Sequence, residues 1–561
     1  MQAACCSAGT IVALALEAPL CAQKQSTMWR ALVLRRVLAP SGLHNPHSSR
    51  FTPSQFHISI SRQKCTAAVQ TAEMEPGQER RYAIIGAGFA GVAVTWHLLQ
   101  HATSASPICI DLFDEVGIAG GASGVAGGLL HAFSNKGTSL WMGQEGYAAT
   151  LRLLEAAERA QGEAPTAEES LIARRKGILR PAVEQRLADN YKKHAESAPP
   201  IDDSHVVGGR AAIVNGETAR KLVPGLAEPV GDTALFLPRG ITINPTRYLE
   251  GLWRACEQQA GDRGPGRPRA TLHKQKVDSL AGLSQAGYTA VVICSGAAAV
   301  RFPEVACELH LSMCRGRVVE LHPPCGTASD APRVAFPASS PSLLGPAWIS
   351  AQGTETLLVG ATKDWENGDL ESGVSPQEGE KVAEELLAKA EVIYPPVREW
   401  RVAAVRSGVR AWARRTSDGT VPIAGKIQGR SSEDDPSASM AKDEDNGAPD
   451  RLASANSDEG FARDVSNGRG GGERVDSVNE GSGRESSPGA CALWVVGGLG
   501  ARGLVYHAWL AEKAARAVVH DDEALLPPVL RRWQKGFVDA AKAERKPRVR
   551  IRNRNKVRGG V

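Results

Sequence analysis

The run Arg81-Tyr82-Ala83-Ile84-Ile85-Gly86-Ala87-Gly88-Phe89-Ala90-Gly91 constrains this chain more than any other stretch. In it a short apolar strand passes through a glycine-bracketed turn into a helix that begins near Val92. At this spacing the first glycine permits the tight turn, the second lets the backbone approach a pyrophosphate, and the third lets helix and strand pack closely. The helix N-terminus then faces the phosphates. Gly86, Gly88 and Gly91 therefore predict the opening of a dinucleotide-binding domain. A second strand, Ile108-Cys109-Ile110-Asp111-Leu112-Phe113-Asp114, follows, and an acid is expected about 20 residues after the turn to accept ribose hydroxyls. Asp111 and Asp114 both qualify; Asp114 is preferred because it ends the strand, and Glu115 stands beside it.

A length of 561 residues allows about three ordinary domains, but part of the chain has the composition of unfolded segments. Between Ala22 and Ala72 no acidic residue occurs, while Arg and Lys recur among Ser, His, Pro and Ala, as in an organelle transit peptide. Residues 1–72 are read as that leader. An internal start at Met28 would give an Arg-rich amphipathic helix suited to a mitochondrion, whereas the whole Ser- and Ala-rich leader suits a chloroplast, and the chloroplast is favoured. No stretch is long enough to span a bilayer.

The net charge of +5 is concentrated at the two ends. Residues 1–72 hold seven Lys or Arg against Glu17 alone, and residues 545–561 hold eight with no acid, so residues 73–544 carry −9. The basic tail could hold phosphates or remain a solvated segment. Eleven cysteines without a CxxC pair argue against a disulfide framework and against a zinc site, and point to a reducing compartment.

Further along, Gly120-Gly121-Ala122-Ser123-Gly124 and Gly127-Gly128 form a side-chain-poor segment whose backbone could lie against a flat ring. Residues 80–150 are assigned to the first part of the nucleotide-binding domain, and 151–240 to a helical excursion with the start of a second domain. Gly240-Ile241-Thr242-Ile243-Asn244-Pro245 opens another helix with Pro245 in its first turn. The apolar strand Ala290-Val291-Val292-Ile293, ending at Cys294-Ser295-Gly296, has the pattern of a central parallel strand. Residues 241–310 thus return to the first domain. Short strands separated by turns across 311–405 predict an antiparallel sheet in the second domain, and 406–428 with 491–535 complete the first. Residues 429–490, rich in Ser, Gly, Asp, Glu and Asn, read as a disordered insertion. The expected fold class is α/β with an α+β second domain: a Rossmann-like domain assembled from discontinuous segments beside an antiparallel-sheet substrate domain.

The ordered set of these motifs, above all Arg406-Ser407-Gly408-Val409-Arg410, Val421-Pro422-Ile423-Ala424-Gly425 and Gly498-Leu499-Gly500-Ala501-Arg502-Gly503-Leu504, resembles the FAD-dependent D-amino-acid oxidase superfamily. Within it, the chain is most similar to the FAD domain of the bacterial bifunctional tRNA 5-methylaminomethyl-2-thiouridine biosynthesis enzyme, over roughly residues 80–535 apart from the insertion. That enzyme's methyltransferase domain has no counterpart here.

The resemblance implies FAD bound by Gly86, Gly88, Phe89, Ala90, Gly91, Asp114, Glu115, Gly121, Ala122, Ser123, Gly128, Val277, Gly296, Gly498, Gly500, Arg502 and Gly503. It also implies a substrate carboxylate held by Arg410 and Arg502, whose planar forks suit two parallel hydrogen bonds to a carboxylate. The implied reaction is oxidation of the C–N bond of a glycine-like amine by hydride transfer, with His131 as a candidate for tuning the amine. The substrate expected is a small-molecule amine or the carboxymethylaminomethyl group of tRNA wobble uridine. A small amino-acid oxidase and a non-catalytic assembly flavoprotein of an organelle are the alternatives. No metal is expected, and oligomeric state stays open. Where sarcosine-oxidase relatives place an oxygen-activating lysine, this chain has Leu358, with Lys363 nearby.

Overall fold

Tyr82, Ala83 and Ile84 are fully buried, because the strand Arg80–Ile85 that carries them runs through the middle of a six-stranded sheet with both faces covered. The computed structural model describes residues 79–162, 167–196, 208–261, 267–324, 335–366, 369–370, 373–415, 419–427 and 491–534, all within the unit Met74–Val561. The expected leader 1–72, the insertion 429–490 and the basic tail 545–561 lie outside the described residues.

In the six-stranded sheet the spatial order is Ile423–Lys426, Ala492–Gly497, Ala290–Ile293, Arg80–Ile85, Ile108–Asp114 and Arg269–Lys274. All neighbouring pairs are parallel except the first, which is antiparallel. Ile85 lies opposite both Ile293 and Phe113, so three strand ends reach the same edge as the glycine turn. The six strands fall into three pairs along the chain, within 80–114, 269–293 and 423–497, with more than a hundred residues between one pair and the next, so the sheet is discontinuous in sequence as its motifs predict.

One face of the sheet is covered by helices Phe89–Leu99, Gly143–Ala160, Pro245–Ala260 and Gly503–Val519, which pack against one another. The third starts as its sequence predicts: the Asn244 side chain accepts from the Arg247 N–H, and Pro245 occupies the first turn.

A second, eight-stranded sheet has the order Arg401–Ala413, Leu311–His322, Leu357–Gly360, Trp348–Ala351, Ser342–Leu343, Ile178–Pro181, Ala234–Leu237 and Ala212–Val214. It is antiparallel except where Ser342–Leu343 runs parallel to Ile178–Pro181. The helix Pro376–Glu391 buries Val382, Leu386 and Leu387 in its core, and Ser375 caps that helix by accepting from the Glu378 N–H.

Residues 406–413, expected with the nucleotide-binding domain, instead belong to this second sheet. They extend a strand that pairs with Leu311–His322 over nearly its whole length, placing Gly408 opposite Gly316 and Arg410 opposite Cys314. The chain reaches the first sheet only afterwards, at Ile423–Lys426 beside Ala492–Gly497.

A small antiparallel sheet of Leu129–Leu130, Ile241–Ile243 and Ala173–Arg174 completes the fold. Among the described residues no helix is long and apolar enough to cross a membrane, and no group of three or more His, Cys, Asp or Glu is placed to hold a metal ion.

Candidate active site

The glycine turn forms as its spacing demands. Gly86 adopts a φ of +104°, and a β-carbon on Gly91 would lie 1.8 Å from the Gly86 carbonyl oxygen, so helix and turn touch backbone to backbone. Asp114 locks this arrangement. Its Oδ2 accepts from the Ala87 N–H at 2.8 Å, and its Oδ1 accepts from the N–H groups of Val116 and Gly117 at 3.0 and 2.8 Å. A carboxylate offers about four acceptor positions, so Asp114 keeps roughly one for a ribose hydroxyl.

The helix that follows opens without an acidic residue in its first turn and without a side-chain cap from Gly88. Its positive end is therefore free to meet an anion. Ser123 reaches it from the glycine-rich segment, its Oγ accepting from the Phe89 N–H at 3.0 Å. The C-terminal helix Gly503–Val519 likewise begins with no acid in its first turn. Both helix starts, represented by Gly88, Phe89 and Ala90 and by Gly503, line one cavity of about 1170 Å³. Typical small-ligand pockets hold about 300–1,000 Å³, so the space suits a dinucleotide together with a second molecule.

The cavity gathers most of the residues singled out from the sequence. Gly88, Phe89, Ala90, Ala122, Ser123, Gly128, His131, Gly296, Arg410, Gly498, Gly500, Arg502 and Gly503 all form its walls. Gly86, Gly91, Asp114, Glu115, Gly121 and Val277 do not. Gly86, Gly91 and Asp114 build the turn behind the wall. Val277 packs into the apolar cluster around Ile85 and Phe113, and Glu115 is exposed.

The walls that face the second sheet come from Gly316, Val318, Trp348, Gly360 and the strand Gly408-Val409-Arg410-Ala411-Trp412. The Trp348 ring fills the space where a Gly127 side chain would stand. Arg410 donates from Nη2 to the Thr362 carbonyl at 3.1 Å, and its Nε is buried with no partner.

The lining is strongly cationic. Lys136, Arg180, Lys363, Arg410, Arg415 and Arg502 all contribute, and no aspartate or glutamate does. Sequence reasoning singled out Arg410, Arg502 and Lys363 but missed Lys136, Arg180 and Arg415. The available signal for Arg180 was a cation inside the apolar strand Ile178-Leu179-Arg180-Pro181, every residue of which is buried.

His131 is held at a pKa of about 3, first by burial and then by the neighbouring charges of Arg180 and Arg502. Its Nδ1 accepts from the Phe133 N–H at 3.3 Å. The neutral ring thus carries its proton on Nε2, which leaves it a donor rather than a base.

These features define a flavoprotein. Two helix N-termini with no acid in their first turns and a glycine turn suit a diphosphate, and a cation-lined chamber adjoins them. The model of the family described as DAO: FAD dependent oxidoreductase matches residues 81–443, and the chain belongs to that family. It is an FAD-dependent oxidoreductase, and the residues present fit the cofactor: the Gly88 and Ala90 amides would take the pyrophosphate and Asp114 the ribose.

Solved structures share the fold. Glycine oxidase from Geobacillus kaustophilus matches with a TM-score of 0.51 at 19% identity, covering 79% of this chain and 96% of that one. Glycine oxidase from Bacillus cereus matches at 0.50 and 14%, covering 79% and 96%. L-Proline dehydrogenase from P. horikoshii matches at 0.50 and 11%, covering 81% and 96%. Comparison with curated proteins finds no match.

Proposed function

We propose that this flavoprotein oxidises the C–N bond of a glycine-like amine whose carboxylate is held by Arg410 and Arg502. The observation that carries this reading is the pair of guanidiniums, Arg410 and Arg502, in a chamber lined by no acidic residue. A carboxylate supplies the charge that Arg410 lacks, and its two oxygens match the planar fork. Holding it fixes the neighbouring carbon, which is where positional control shortens the path to reaction.

Bound FAD supplies the acceptor for the hydride that leaves the α-carbon. The resulting imine takes up water and separates into an amine and a glyoxylate-type acid. His131, neutral and donating from Nε2, cannot take the amine's proton while Nδ1 accepts from Phe133. The amine must therefore enter in its neutral form, and the histidine acts as a hydrogen-bond donor to bound oxygen atoms.

The finer form of the reading is a glycine unit carried on tRNA, the carboxymethylaminomethyl group of wobble uridine, supported by the basic run of residues 545–561. Support for an organellar setting, with the chloroplast favoured, comes from the acid-free leader.

The test is anaerobic mixing of FAD-loaded protein with glycine, with sarcosine and with tRNA bearing carboxymethylaminomethyl-uridine, following flavin absorbance. Bleaching by tRNA alone supports the tRNA form, and bleaching by a free amino acid supports a metabolic oxidase. No bleaching by any of them would sink amine oxidation and leave the assembly-factor alternative.

A further inference from the structure

Arg180 is the least expected member of the cavity wall. It sits in the strand Ile178–Pro181, with 8% of its surface exposed, and still lines the chamber. It donates from Nη1 to the amide oxygen of Asn135 at 3.1 Å, and the Tyr191 hydroxyl lies against it. The charged residues that share the wall with it are all cations, Lys136 among them, and Tyr191 beside it is a neutral phenol. Among the described residues no carboxylate pairs with Arg180.

A buried guanidinium without a counter-charge is costly, and the cost is relieved when an anion joins it. Burial already pushes the Arg180 guanidinium below its ordinary pKa, which is the physical sign of that missing partner. The charges of Arg180 and Arg502 both reach His131, whose neutral ring keeps a donor proton on Nε2. Arg410 lies against Thr362 and Gly316 on the edge strand of the same eight-stranded sheet, five strands from the one that carries Arg180. The chamber therefore offers an anion two addresses.

We propose that the substrate carries a second anionic group, a carboxylate or phosphate on the amine's other arm, and that Arg180, assisted by Lys136 and Asn135, is the specificity-determining residue that binds it. This rests on the amine-oxidation reading for its reaction, but the binding site stands on Arg180 itself. The pyrophosphate of the cofactor has its own place at the glycine turn, so Arg180 is not needed for FAD.

The experiment uses FAD-loaded full-length protein. Turnover is compared for N-(2-carboxyethyl)glycine and its neutral isostere N-(2-carbamoylethyl)glycine, in the natural protein and in Arg180→Met. In parallel, binding of the non-oxidisable dianion glutarate and of its monoamide is followed by perturbation of the flavin spectrum.

The natural protein is expected to prefer each dianion at least tenfold, and Arg180→Met to lose that preference while keeping its FAD. Arg180→Lys should restore part of it. Equal handling of dianion and amide by the natural protein overturns the proposal without any variant, and so does loss of FAD on substitution. If glutarate is preferred but neither amine is oxidised, the second-anion site stands and the proposed reaction fails.

Discussion

The Tyr248 hydroxyl meets His507 Nε2 at 2.8 Å, and the opposite ring nitrogen of His507 lies 3.1 and 3.0 Å from the carbonyl oxygens of Gly503 and Leu504. Nδ1 therefore donates to the first turn of the C-terminal helix, and Nε2 accepts from a tyrosine on the helix Pro245–Ala260. Both side chains are fully buried, and the Phe89 ring packs 5.1 Å from the imidazole. One histidine thus ties together the helix starts that line the cofactor chamber.

Tyr248→Phe keeps the shape and removes the donor. The stranded buried acceptor should cost about 1–3 kcal/mol. The expected result is a lower urea midpoint together with faster loss of FAD. An unchanged midpoint would mean that water or another group satisfies His507.

The same burial gives a pH dependence. Burial is the largest cause holding His507 and His97 down to a pKa of about 4, from an ordinary value of 6.5. Folded protein then keeps these rings neutral where the unfolded chain binds protons, so stability is full above about pH 6.5 and falls as the pH drops toward 4. The slope contributed by His507 approaches roughly 1.4 kcal/mol per pH unit within that window. Unfolding free energies measured from pH 7.5 to 4.5 should decline less steeply in His507→Phe. Parallel curves would count against a neutral buried His507.

Substitutions in the glycine turn should separate by what they strike. At Gly91 a β-carbon meets the fixed Gly86 carbonyl oxygen, whereas at Gly88 it meets the Ser123 hydroxyl at 2.8 Å, the end of a movable side chain. Gly91→Ala is expected to cost at least about 1–3 kcal/mol of overpacking and to abolish FAD retention. Gly88→Ala should leave the apoprotein within about 1 kcal/mol of the natural chain, because Ser123 can turn away. Comparing thermal unfolding of the two apoproteins checks this order, and equal losses would contradict the backbone contact.

What could be read from the sequence follows from how local the cause is. The turn at Gly86 and Gly91 was legible because only glycine tolerates that φ and that contact. Buried parallel strands such as Ala290–Ile293 were legible as apolar runs. Residues 406–413 were assigned to the wrong sheet because Arg406-Ser407-Gly408 does not look like a strand interior. Its partner, Leu311–His322, lies far upstream. Arg180 was invisible for a similar reason: its meaning depends on Asn135 and His131, from a loop that only the fold brings alongside. Val277, placed at the ligand by resemblance, packs its side chain against the apolar cluster that includes Phe113.

Arg410 gives the sharpest test of the chemistry. Its Nη2 is held by the Thr362 carbonyl, while its buried Nε has no partner, so the guanidinium is fixed in place but not neutralised. Hydrogen bonds to charged groups contribute about 1.5–3 kcal/mol each, and a carboxylate can engage two at once. Arg410→Met should therefore lower kcat/KM for a glycine-type substrate by roughly 10²–10³-fold with FAD content unchanged. Arg410→Lys should recover only part of this, since an ammonium is a point charge without the fork. The decisive comparison is sarcosine against sarcosinamide: discrimination between acid and amide should collapse in Arg410→Met. If the variant still prefers the acid by the same ratio, the carboxylate is held elsewhere, and Arg502 becomes the residue to replace next.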